Sequence, residues 1–128
     1  MRARRGEAMD ATSIVAIQNS TGRWLGMMNA QSGDEHGTDP VLTGVYVTPD
    51  ARGRKHGVAD ALLETVLLWS AAHGDALRLH VYEHAEPARR VYSRNGFLPT
   101  GRTQPMQVLG REPEPTDGIV LELRRALR

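Results

Sequence analysis

Apolar and polar positions along this chain change period several times, and each change marks an element. Ile14-Val15-Ala16-Ile17 is a short β-branched run and predicts a strand. Asn19-Ser20-Thr21-Gly22 is turn chemistry, and Trp24-Leu25-Gly26-Met27-Met28-Asn29-Ala30 is the returning strand of a hairpin. Residues 31–40 are polar and loop-like. Residues 42–47 predict a third strand, apolar on both faces and therefore central. The period then lengthens. Val58, Leu62, Val66 and Trp69 recur at helical spacing, with Ala59, Leu63 and Leu67 beside them, so residues 57–73 predict a helix that Gly74 stops. Alternation returns over residues 76–82, with Leu77, Leu79 and Val81 on one face and Arg78, His80 and Tyr82 on the other. Glu86-Pro87 opens a second helix, with Pro in its favoured first turn. Its inner face carries Ala88, Val91 and Tyr92, its outer face Arg89, Arg90 and Arg94, and Gly96 ends it. Phe97-Leu98 begins another strand, residues 103–118 with their three Pro read as a long loop, and Ile119-Val120-Leu121-Glu122-Leu123 is the last strand.

The resulting order, β-β-β-α-β-α-β-β, is that of an α/β protein with a mixed sheet and helices on its faces. The central strand–helix–strand is expected to be a right-handed crossover with parallel pairing, and the flanks antiparallel hairpins. Residues 1–11 read as a flexible basic tail, residues 12–124 as one domain and residues 125–128 as a second short tail.

Composition narrows the function. A chain of 128 residues holds one sizeable core, and its apolar 40% and charged 24% are ordinary for a globular protein. A net charge of +1 argues against a general nucleic-acid binder or a binder of anionic membranes. The absence of Cys excludes a disulfide scaffold, Cys-ligated zinc and a Cys nucleophile, and points to a cytoplasmic setting. No apolar run is long enough to span a membrane. The basic start Met1-Arg2-Ala3-Arg4-Arg5 lacks the apolar stretch of a secretory signal.

The densest chemistry lies in Val47-Thr48-Pro49-Asp50-Ala51-Arg52-Gly53-Arg54-Lys55-His56-Gly57-Val58-Ala59. A strand end, a cationic Gly-rich turn and a helix start present unpaired backbone N–H groups, which suit a phosphate-bearing ligand. Gly57 allows close backbone approach, Ala59 is small where the helix would abut the ligand, and Arg52, Arg54 and Lys55 can add charge-assisted contacts. The other marked segment, Tyr92-Ser93-Arg94-Asn95-Gly96-Phe97, sits at the second helix end.

Arg54-x-x-Gly57-x-Ala59 after Val47-x-Pro49 resembles motif A of the GCN5-related N-acetyltransferase (GNAT) superfamily, and Tyr92-x-x-x-Gly96-Phe97 resembles its motif B. The resemblance covers residues 12–124 and is closest to bacterial members. It implies acetyl-CoA as co-substrate, with its pyrophosphate held by Arg52, Arg54, Lys55, His56, Gly57, Val58 and Ala59. It implies that the backbone of Val45, Tyr46 and Val47 bonds the pantetheine arm and polarises the thioester carbonyl. Tyr92 matches the family tyrosine that protonates the departing thiolate.

The pattern also departs from the family. Lys55-His56 looks like a two-residue insertion before Gly57, and Ala85 stands where the family often has a cofactor-bonding Asn. The first strand and helices that usually precede the hairpin are reduced, which favours a homodimer through an open edge or face. Family members often place a Glu base on the strand corresponding to residues 42–47, which here holds none. Glu83 and His84, or Asp34, Glu35 and His36, are the candidate bases, with Glu83 preferred. Asp34-x-His36 alone is too small for a metal site. The expected activity is acetyl transfer from acetyl-CoA to a primary amine by direct attack, without a metal. The alternative is an acyl-CoA-binding or interaction module without turnover. Nucleic-acid binding through the basic turn and termini is disfavoured by the near-neutral charge and few aromatics.

Overall fold

The structure is a computed structural model that describes residues 2–8, 11–53 and 57–127. Its elements run β1 (Arg2–Ala8), β2 (Ala11–Ile17), β3 (Trp24–Gln31), β4 (Val41–Val47), α1 (Val58–Ala71), β5 (Ala76–Tyr82), α2 (Glu86–Arg94), β6 (Leu98–Pro105) and β7 (Ile119–Ala126). Single 3-10 turns lie at Pro49–Ala51 and Pro115–Asp117. The chain divides into two compact units, Met1–Leu77 with Ala126–Arg128, and Arg78–Arg125.

In the first unit β1, β2, β3 and β4 pair antiparallel in chain order. Helix α1 covers one face of this layer, against β2 and β3. Gly26 shows how close the layers come. A Cβ there would lie 3.4 Å from Leu62 Cδ1 on α1 and 2.6 Å from the Tyr46 carbonyl oxygen, so only glycine fits. The face that meets α1 is read from the burial pattern of β2, where Thr12, Ile14 and Ala16 are buried and their neighbours are not. Ile14, Met28, Leu62, Leu63 and Val66 are fully enclosed. Each such side chain contributes about 1.5–3 kcal/mol of transfer free energy.

In the second unit β7 lies between β5 and β6 and pairs antiparallel with β6. The register shifts between Pro99 and Thr103. Helix α2 buries Tyr92 and half-buries Ala88 and Val91, while Arg89, Arg90 and Arg94 are exposed, as the sequence spacing predicts.

Three boundaries differ from the sequence reading. The N-terminal segment expected as a tail contains β1, paired with β2 from Arg2↔Ile17 to Ala8↔Ala11. Its sequence holds three Arg and no β-branched residue, so it has no apolar alternation to read; edge strands in general tolerate charge. Only Met9 and Asp10 separate β1 from β2, too few residues for the helices that the family places before the hairpin. Thr103, Gln104 and Pro105, read as loop, belong to β6, an almost wholly exposed edge strand in which nothing apolar alternates. Strand β7 runs to Ala126 and so takes up part of the expected C-terminal tail. Of the strand expected over residues 42–47 to be apolar on both faces, only Leu42 is buried. Val45 and Tyr46 are exposed.

Candidate active site

The first unit supplies the turn and the end of β4. Gly57 precedes α1 with φ 66° and ψ 12°, a left-handed conformation that explains glycine at this position. Among the described residues no side chain caps the helix start, and a Cβ on Gly57 would meet nothing within 4 Å. Among the described residues no side-chain acceptor meets the first amides of α1, at Val58 and Ala59, and nothing crowds Gly57. That arrangement fits a phosphate group. Arg54, Lys55 and His56, expected at the pyrophosphate, lie outside the described residues.

Arg52 is turned toward β4. Its Nε donates to the Val47 carbonyl at 2.9 Å, and its guanidinium lies 5.8 Å from the centre of the Tyr46 ring. Tyr46 in turn stacks on Trp24, with centroids 5.8 Å apart and planes 19° from parallel. Beside them Arg23 pairs with Asp50 at 2.5 Å. The Arg23 guanidinium, with help from the Thr48 hydroxyl, holds the Asp50 carboxyl below its ordinary value of 3.8. The Trp24–Tyr46 pair was not among the sequence candidates for a shared feature. Its signal would have been two large aromatics at the ends of two strands predicted to be neighbours.

The second unit supplies Tyr92 and Glu83. Tyr92 is 7% exposed and packs edge-to-face on Phe97, with centroids 5.8 Å apart. Burial pushes its phenol above the ordinary 10.0, so the hydroxyl keeps its proton at neutral pH. Glu83 follows β5, and its Oε1 accepts the Ile119 N–H at 3.2 Å and lies 3.5 Å from His84 Nε2. This carboxylate thus ties the end of β5 to the start of β7. Ala85 is the N-cap of α2 and offers no side-chain bond to the helix start.

Sequence reasoning treated Arg78 and His80 only as the second face of a strand. They surround a buried carboxylate. Glu122 Oε2 lies 3.7 Å from Arg78 Nη1, 3.7 Å from His80 Nε2 and 3.6 Å from Arg102 Nε. Its Oε1 accepts from the Thr100 hydroxyl at 2.9 Å. A groove of about 410 Å³ lies elsewhere in this unit, between α2 at Arg89, Arg90 and Ser93 and the chain at Phe97 and Leu98, and none of the expected site residues lines it. Among the described residues no group of His, Cys, Asp or Glu could hold a metal ion, and no helix is long and apolar enough to cross a membrane.

The fold is that of known acetyltransferases. Nourseothricin acetyltransferase superposes with a TM-score of 0.74 at 22% identity, over 94% of this chain and 67% of that one. The ribosomal-protein-S18-alanine N-acetyltransferase from Escherichia coli gives 0.70 at 20% identity, over 94% and 72%. NAA60 of Arabidopsis thaliana, solved with acetyl-CoA, gives 0.70 at 19% identity, over 93% and 77%. A search of curated proteins by sequence found no match. These likenesses show an α/β fold with the mixed sheet the sequence predicts. A sequence model of the acetyltransferase (GNAT) family matches residues 2–97, and the chain belongs to that family. It is an N-acetyltransferase that takes its acetyl group from acetyl-CoA.

Proposed function

We propose that this enzyme moves the acetyl group to a primary amine by direct attack, using the residues marked by the two motifs. The observation that carries the reading is the start of α1 behind a left-handed Gly57, uncapped and uncrowded among the described residues. The amides of Gly57, Val58 and Ala59, with Arg54, Lys55 and His56, bind the pyrophosphate, and the helix dipole adds to the attraction. Arg52 steadies the same turn by its bond to the Val47 carbonyl. The backbone of Val45, Tyr46 and Val47 holds the pantetheine arm and polarises the thioester carbonyl. Glu83 takes the proton that the attacking amine loses, and Tyr92 gives its own to the sulfur as the carbon–sulfur bond breaks. Burial keeps the Tyr92 phenol protonated at neutral pH, the state from which a proton can be given, while making it a weaker acid than a free tyrosine. We further propose a cytoplasmic setting, supported by a sequence without Cys, and a homodimer, supported by β1 standing at the sheet edge with one strand neighbour.

Calorimetric titration of acetyl-CoA tests the reading. Wild type is expected to bind at micromolar concentrations, and Gly57→Glu, which sets a carboxylate on the turn, to lose binding by at least about a hundredfold. Equal affinity for both proteins would remove the pyrophosphate from this turn. Binding without transfer to any amine would leave the acyl-CoA-binding module in place of the enzyme.

A further inference from the structure

We propose that the Trp24–Tyr46 pair is the acceptor platform and that the acceptor is an arylalkylamine, a monoamine carrying a flat aromatic ring; the proposal rests on the assignment of the Val45–Val47 backbone to the thioester. The register fixes where the platform stands. Gly26 faces α1, as its approach to Leu62 shows, and its cross-strand partner is Val47. Partners across an antiparallel pair share a face, so Val47 faces α1 too, and Tyr46, one residue earlier, faces away from it with its partner Met27. Tyr46 is the middle residue of the segment that holds the thioester. Its ring therefore rises beside the acetyl group, on the face of the layer that α1 leaves uncovered.

Trp24 joins it because β3 bulges at Leu25: Ala16 pairs with Gly26 and Ile17 with Trp24, which breaks the alternation and turns Trp24 to the face of Tyr46, and the Thr48 N–H bonds the Leu25 carbonyl at 2.8 Å, drawing the start of β3 to the end of β4. The two rings are stacked, yet Trp24 is 40% and Tyr46 44% exposed. Large aromatics that could have been buried are thus held together and open to water, a sign of a binding surface. Arg52 closes the Tyr46 side of the stack. Among the described residues no carboxylate pairs with Arg52, whereas its neighbour Asp50 is engaged by Arg23. A polyamine would bring several positive charges up to this guanidinium, and an arylalkylamine brings one. The ring of such an amine extends the row of stacked groups on the Trp24 side, which favours it over an aliphatic amine by about tenfold in affinity.

Two measurements test this. Saturation-transfer NMR of 2-phenylethylamine, with and without CoA, needs no turnover. The expected result is transfer to the ring protons in wild type and Trp24→Phe and its loss in Trp24→Ala, with no comparable signal from n-butylamine or spermidine. Acetyl transfer to the same three amines should rank 2-phenylethylamine first and spermidine last. Trp24→Ala should cut kcat/KM for the aromatic amine about tenfold, through KM, while acetyl-CoA binding by calorimetry stays at the wild-type value. Ring transfer unchanged in Trp24→Ala, or a preference for spermidine, overturns the platform. Failure of acetyl-CoA to bind wild type would instead overturn the cofactor assignment, and the NMR result would still decide whether the aromatic pair takes the ring.

Discussion

The interiors of the two units are built on different principles. In the first, the enclosed side chains are Ile14, Met28, Leu62, Leu63 and Val66, and α1 presses them onto β2 and β3. In the second, Leu79, Val81 and Phe97 are buried, but so are Glu122 at 6% and Arg78 at 5% exposure, with His80 and Arg102 at the same carboxylate. An apolar interior is non-directional and tolerates exchange of one hydrocarbon for another. A buried ion cluster holds only while every partner is present. The difference teaches that the first unit should respond to lost volume and the second to lost charge.

The sharpest break is Glu122→Ala. It leaves the buried Arg78 guanidinium without its carboxylate and is expected to cost about 3–5 kcal/mol, measured by urea unfolding. Replacing both members, Arg78→Met with Glu122→Leu, should recover most of that loss, since an apolar pair can stand in for a buried ion pair. A single variant that unfolds like wild type would show the cluster to be ornamental. In the first unit Leu62→Ala is expected to cost about 3 kcal/mol, the lost transfer energy plus the cavity beneath α1. Leu62→Met should cost less than about 1.5 kcal/mol, because volume is kept. A larger penalty for Met than for Ala would contradict the apolar account.

Legibility in the sequence follows the same division. The period of Val58, Leu62, Val66 and Trp69 foretold α1, and the burial of these residues bears that spacing out. The alternation over residues 76–82 foretold β5. The family was legible because two motifs fall in order around one helix pair, and the match to the GNAT family covers both. The charged interior was not legible. Arg78 and His80 look like the wet face of a strand until β7 brings Glu122 beside them, and nothing local in the sequence encodes that neighbour. Strand β1 and the far half of β6 were missed for a related reason. Edge strands are defined by backbone pairing; β1 has no apolar alternation in its sequence, and the side chains of β6 are almost all exposed. The Trp24–Tyr46 pair likewise depends on register, which periodicity alone does not supply.

A smaller test concerns α2, where the second unit lacks an ordinary local device. Ala85 caps the helix with no side-chain bond. Ala85→Asn would give the start of α2 an acceptor and is expected to raise stability by about 1 kcal/mol, read as a higher urea midpoint at unchanged m-value. The same Asn restores the residue that the family often has there, so the acetyl-CoA dissociation constant should fall in parallel. A gain in stability with no change in affinity would confine this residue to capping.

The smallest effect expected is electrostatic and lies on the surface of the second unit, away from the Glu122 cluster. Arg111 grips Asp117 through two bonds, 2.7 and 2.6 Å long, and Asp117 also accepts the Glu114 N–H at 2.8 Å. The Arg111 bonds first, and the Glu114 amide second, lower the Asp117 carboxyl from 3.8 to about 2. A carboxylate whose pKa is lower in the folded chain stabilises it fully above the unfolded value, and that contribution fades as pH falls from about 4 toward about 2. Asp117→Asn removes the titrating group, so its stability should fall less steeply than wild type across that window, while at pH 7 the variant should be slightly weaker. Thermal midpoints of both proteins between pH 7 and pH 2.5 check this. Parallel curves would mean that the Arg111–Asp117 clasp contributes nothing to the acid sensitivity of the unit.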